Sequence, residues 1–116
     1  MRPPVDRRTA TVGESGTVQL FLLPLRGGTG PGRLFCLFSP RQIVEVLPGR
    51  PVVRVPGSAG PLVGVLGHRD RILPVFSLEA LCLAGPPLAG TCRQLVVVRT
   101  RAIDRQSGEP LRAVIA

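Results

Sequence analysis

The sequence of 116 residues has no lysine, no tryptophan and no tyrosine, and only one histidine. Each shortage closes off a class of chemistry. Without lysine, the run Gly27-Gly28-Thr29-Gly30-Pro31-Gly32 lacks the ammonium with which a P-loop reaches nucleotide phosphates, so it reads as a flexible connection. With His68 the lone imidazole, the menu of general bases shrinks to seven carboxylates scattered singly along the chain. No spacing sets a nucleophile on a strand-to-helix elbow, and an enzyme is not expected. Aromatics make up 3% of residues, which nearly removes the stacking platforms of single-stranded nucleic-acid binders. Cys36, Cys82 and Cys92 form no C-x-x-C pair, so neither a zinc site nor a disulfide framework is indicated, and no cofactor or metal is expected. Cys36, inside Leu34-Phe35-Cys36-Leu37-Phe38, reads as a small buried hydrophobe. No apolar run approaches the ~20 residues that span a bilayer, and no signal-type segment follows the charged N-terminus. A cytoplasmic protein with no membrane insertion is expected.

What is abundant is arginine, glycine and proline. All 15 basic residues are arginine, and the formal charge is +8. Such a surface attracts acidic protein partners through bidentate pairing, or, as the alternative reading, makes the chain a small basic β-barrel that binds nucleic acid. Fourteen glycines and 13 prolines interrupt helices, while the apolar residues fall in short β-branched runs, so the fold class is mainly β.

Residues 1–16 are polar and read as a flexible basic tail. Val18-Gln19-Leu20-Phe21-Leu22-Leu23 predicts a strand, with Pro24 tolerated only at an edge or bulge. Ser39-Pro40-Arg41-Gln42 carries a helix-start signature and predicts one helical turn. Ile43-Val44-Glu45-Val46-Leu47 and Val52-Val53-Arg54-Val55 are extended. Leu62 to Leu66 and Ile72 to Phe76, separated by Gly67-His68-Arg69-Asp70-Arg71, predict a hairpin with a charged tip, in which Gly67 supplies a positive φ and Asp70 tightens the turn. Ser77 can cap a short helix over 78–83, broken by Gly85-Pro86-Pro87. Gln94 to Arg99 and Leu111 to Ile115 are the last strands, flanking a turn near 106–108. A terminal strand without a return partner would leave an open edge that pairs with another chain, a route to a homodimer.

The order of motifs from Gln42 to Leu83 resembles the CheW family of chemotaxis adaptors. Ile43-Val44-Glu45-Val46-Leu47 is similar to the family's V-x-E-V strand, and Val55-Pro56 to its V-P step. The stretch from Leu62 to Leu78 follows G-V-x-N-L-R-G-x-x-x-P-V-x-D-L, with Gly64, Val65, Arg69, Pro74, Val75 and Leu78 in register. Gly67, His68 and Asp70 stand where the family has Asn, Leu and Gly around the arginine, and Ser77 where it has Asp.

The resemblance implies two small SH3-like β-barrel subdomains within 17–116. The middle barrel would span about 34–84. The outer barrel, built from about 17–25 and 92–116, would be incomplete at the C-terminus, as in shortened adaptors of gliding-motility systems. It implies a non-enzymatic adaptor that binds the cytoplasmic domain of a chemoreceptor through Arg69, Ile43, Glu45 and His68. Further implied partners are a CheA-like histidine kinase, with coupling weak because the outer barrel is shortened, and other CheW-like adaptors. The location implied is the cytoplasm, at chemosensory clusters.

Overall fold

β-Branched and aliphatic runs, punctuated by proline and glycine, produce nine strands and one short helix among the described residues of a computed structural model. These described residues are 6–12, 16–25, 34–58, 60–83 and 94–116. In chain order the elements are β1 (Asp6–Val12), β2 (Gly16–Pro24), β3 (Phe35–Phe38), β4 (Ile43–Pro48), β5 (Val53–Arg54), β6 (Leu62–His68), β7 (Arg71–Phe76), α1 (Leu78–Leu83), β8 (Gln94–Ile103) and β9 (Pro110–Ile115). The mainly β fold class is observed. The glycine-rich connection at 26–32, the break at 85–87 and Cys92 lie outside the described residues.

The strands form a three-stranded sheet, β1-β2-β3, and a six-stranded sheet in the order β4-β8-β9-β7-β6-β5. The strand pairing runs across the expected boundaries of the two units. Strand β3, assigned to the middle unit, pairs with β2 instead, from Phe21↔Phe38 to Pro24↔Phe35. Strands β8 and β9, assigned to the outer unit, lie between β4 and β7 in the larger sheet. The reason is burial. Leu95, Val96, Val97 and Val98 are all buried, so β8 is covered on both faces and needs neighbours on both sides, as its unbroken apolar run allows.

The same logic corrects the expected open edge. Strand β9 runs antiparallel to β8 and parallel to β7, with Val97↔Val114 on one side and Val75↔Val114 on the other. Val114 and Ile115 are thus paired on both sides, and the end of the strand is not an open edge. The sheet's outermost strands are β4 and β5. Within the segment expected as a tail, Asp6–Val12 pairs with β2 in unbroken register from Asp6↔Leu22 to Val12↔Gly16. Thr9, Thr11 and Val12, all β-branched, carry the strand tendency that the polarity of this segment masks.

Alternation along β8 and β9 sends side chains into two apolar clusters. The first gathers Leu47, Leu66, Leu73, Val75, Leu95, Val97 and Val114 from five strands of the larger sheet. The second gathers Leu23, Leu78, Val96, Val98, Ala113 and Ile115, with Phe21, Cys36, Phe38, Ile43 and Phe76 packed against it. It therefore joins the three-stranded sheet and α1 to the six-stranded one. Val75, Val97 and Val114 are fully buried, each worth about 1.5–3 kcal/mol of apolar transfer.

Local signals behave as the residue chemistry dictates. The Ser77 hydroxyl accepts the Ala80 N–H at 3.2 Å and caps α1 as expected. Val55-Pro56-Gly57-Ser58 closes with the Ser58 N–H donating to the Val55 carbonyl, and Gly57 takes φ 76, which this turn requires of its third residue. The predicted helical turn at Ser39-Pro40-Arg41-Gln42 is a single hydrogen-bonded turn: the Gln42 N–H donates to the Ser39 carbonyl, while Gln42 Oε1 accepts the Ser39 N–H at 2.8 Å.

Candidate functional site

The hairpin formed by β6 and β7 runs in register from Leu66↔Leu73 to His68↔Arg71, leaving only Arg69 and Asp70 as its tip. Both residues have positive φ, 48° and 62°. Two successive residues in this region make the tight turn that matches the right-handed twist of a two-residue hairpin. The positive backbone angle expected at Gly67 thus falls at Arg69 and Asp70, and Gly67 is an ordinary strand residue. Aspartate tolerates that region through its short polar side chain, whereas arginine gains nothing there and is strained by roughly 1 kcal/mol. The turn throws the guanidinium outward, leaving the side chain 69% exposed.

Gly64 fixes the base of the hairpin. A Cβ there would collide with the Val53 carbonyl, because β5 crosses directly over it in the pair Arg54↔Gly64. The close approach explains why the motif has glycine at this position.

Of the four residues expected to bind a partner, three converge. One carboxylate oxygen of Glu45, Oε2, lies 3.2 Å from Arg69 Nη2 and 3.2 Å from His68 Nε2. Glu45 is half-buried and Arg69 exposed, so their pair is worth about 0.2–1 kcal/mol and can open at little cost. His68 is buried, with its side chain 7% exposed. Strand alternation gives the reason: His68 shares a face with Leu66 and points at the first core cluster. Its Nε2 has a carboxylate neighbour but no aligned hydrogen bond among the described residues.

The fourth residue, Ile43, does not join them. Strand β4 carries a bulge, with Ile43 opposite Val98 and Glu45 opposite Val97. The extra residue breaks the alternation that would put Ile43 and Glu45 on one face. Ile43 is half-buried and packs on the second cluster instead.

Residues that no local motif singles out complete the surface. A shallow depression of about 140 Å³ beside the tip is lined by His68, Arg69, Arg71, Leu73, Glu109 and Arg112. Arg71 lies two positions from Leu73, and Arg112 two from Val114, so both continue the inward face of the first core cluster beyond its apolar layer. Arg112 also stands directly opposite Arg99 across β8 and β9, a like-charge pair that favours an anionic neighbour. The Arg99 side chain is turned aside, donating to the Arg41 carbonyl at 2.7 Å. Arg71, Leu73 and Arg112 were invisible as neighbours in sequence because β7 and β9 meet only through strand pairing.

The adjoining turn between β8 and β9 is closed by Asp104, whose carboxylate accepts the Gln106 N–H at 2.9 Å and the Ser107 hydroxyl at 3.2 Å. The Gln106 amide is the main cause holding the Asp104 carboxyl below the usual carboxylate range; desolvation opposes it, and Ser107 and the positive charge of Arg71 help. Among the described residues, no cluster of three or more His, Cys, Asp or Glu could hold a metal ion, and no helix is long and apolar enough to cross a membrane.

No curated protein and no solved structure matches the chain. The family model for the CheW-like domain matches residues 32–114, which takes in the bulged strand β4, the arginine-tipped hairpin, α1 and nearly all of β9. CheW-like domains are adaptors of chemotaxis signalling that interact with chemoreceptors and CheA kinases. By that match and by its mainly β architecture, the chain belongs to the CheW-like domain family.

Proposed function

We infer that this chain is a non-enzymatic chemosensory adaptor whose β6–β7 tip docks on the cytoplasmic tip of a chemoreceptor. The observation that carries the reading is the exposed Arg69 guanidinium, presented by a strained two-residue turn and loosely held by Glu45. Guanidinium forks grip carboxylates and carbonyls, and a receptor helical hairpin offers both. Glu45 and His68 serve as positioning residues: one Glu45 carboxylate oxygen lies against both His68 and Arg69, so Glu45 orients Arg69 until a partner's acid takes its place. Arg71 and Arg112 add positive potential behind the tip, which steers an acidic partner and speeds its arrival.

Kinase coupling by the chain is weak in the same reading. In the family it draws on the outer barrel, and the support here is that, among the described residues, β1, β2 and β3 pair only with one another in a three-stranded sheet.

The test is a titration of purified chain with a receptor cytoplasmic fragment. Arg69→Glu inverts the tip charge beside Glu45 and is expected to weaken binding at least tenfold, with circular dichroism unchanged; Glu45→Gln is expected to change it only a few-fold. Equal binding by wild type and Arg69→Glu would remove the tip from the interface. In a reconstituted receptor and kinase assay, adding the chain to a full-length adaptor is expected to lower kinase output, and a rise would overturn weak coupling.

A further inference from the structure

Cys36 and Cys82 are 46 positions apart in the chain, yet their Sγ atoms lie 4.0 Å apart. Cys36 is half-buried on β3 and packs against the second core cluster, while Cys82 is exposed near the end of α1. Sequence spacing gives no hint of this pair, because it arises where the three-stranded sheet meets the helix between β7 and β8. We propose that Cys36 and Cys82 form a redox-modification site: a reversible intramolecular disulfide, formed by a hydroperoxide or by a low-molecular-weight disulfide.

The geometry is close to what the bond needs. A disulfide holds its sulfurs about 2.05 Å apart, so they must approach by roughly 2 Å, a distance within reach of a side-chain rotation at a six-residue helix. Exposure settles which thiol reacts first. Cys82, open to solvent, attacks the hydroperoxide; the O–O bond breaks, an S–O bond forms, and the Cys82 sulfenic acid and an alcohol (water, from hydrogen peroxide) result. The Cys36 thiol then attacks the sulfenyl sulfur. An S–S bond forms as the S–O bond breaks, a water leaves, and two thiols have been oxidised by one hydroperoxide reduced to an alcohol and a water, or to two waters in the case of hydrogen peroxide. With a low-molecular-weight disulfide, the Cys82 mixed disulfide takes the place of the sulfenic acid and two thiols leave.

The bond would fasten β3 to α1, and so the three-stranded sheet to the six-stranded one, across an interface that in the reduced chain depends on apolar packing. It lies apart from Arg69 and does not depend on how the tip is used. In a reducing compartment such a bond is a transient signal and not a permanent staple.

The experiment treats the reduced full chain, at several protein concentrations, with hydrogen peroxide and separately with oxidised glutathione. Expected are a monomer lighter by about 2 Da, a rate independent of protein concentration, and a linked pair of peptides containing Cys36 and Cys82. One alkylatable thiol, Cys92, then remains of the original three. The oxidised chain is expected to melt roughly 5–15 °C higher, and dithiothreitol should restore the original melting temperature. Cys82→Ser, an exposed and mild change, should abolish the mass loss, whereas Cys92→Ser should leave it intact. A linkage to Cys92, disulfide-linked dimers in place of the lighter monomer, or three alkylatable thiols after full oxidation of a dithiol control protein would each overturn the site.

Discussion

Two hairpins of the six-stranded sheet lie side by side and close in opposite ways. The turn between β8 and β9 satisfies its own chemistry: Asp104 gathers the Gln106 amide and Ser107 hydroxyl, its carbonyl accepts the Gly108 N–H at 2.8 Å, and Gly108 takes the positive φ of 73°. The turn between β6 and β7 places an arginine and an aspartate where glycine is wanted, and the Arg69 ion pair reaches away to Glu45. One turn is built for stability. The other gives up stability to hold a guanidinium in solvent, which is how backbone strain is distributed when a tip has a task.

The largest expected effect shows where the strained hairpin is nonetheless rigid. Gly64→Ala drives a methyl into the Val53 carbonyl and should cost about 2–3 kcal/mol, read from urea midpoints; a loss below about 0.5 kcal/mol would mean that β5 does not press on β6. Next comes the contented turn. Gly108→Val forces a β-branched residue to φ 73° and should cost about 1–2 kcal/mol by the same measurement.

The third prediction has the opposite sign. Converting Arg69→Asn together with Asp70→Gly supplies the residue pair that this turn type prefers, and should stabilise the chain by about 0.5–1 kcal/mol while abolishing receptor binding. A double variant that is less stable would show that the tip is not strained. The smallest effect is a matter of pH. The Asp104 carboxyl titrates lower in the folded chain than when unfolded, so its contribution is present above its unfolded value of ~3.9 and is lost as pH falls through the depressed folded value. The difference in melting temperature between wild type and Asp104→Ala should therefore narrow below about pH 4, and a constant difference would deny the carboxylate that role.

These contrasts also mark what could be read before folding. The β6–β7 hairpin, the Ser77 cap and the strands from 43 and 94 were legible because their signals are local: apolar runs, a charged tip, a hydroxyl before a helix. The neighbours of β9 were not, since nothing in Leu111 to Ile115 states that Val114 will sit between Val97 and Val75. The same limit hid Arg112 behind Arg69 and Cys36 beside Cys82. Arg69 and Glu45 were found through a family pattern, and the pattern could not foresee that a bulge at Val44 would turn Ile43 toward the other core or that His68 would be buried.

The most direct measurement of the account is hydrogen exchange on the chain with and without a receptor cytoplasmic fragment. Docking through the tip predicts new protection centred on Gly67 to Ile72, with Arg112 and its neighbours slowed to a lesser degree. Protection confined to β1, β2 and β3, with the tip exchanging at its unbound rate, would contradict it.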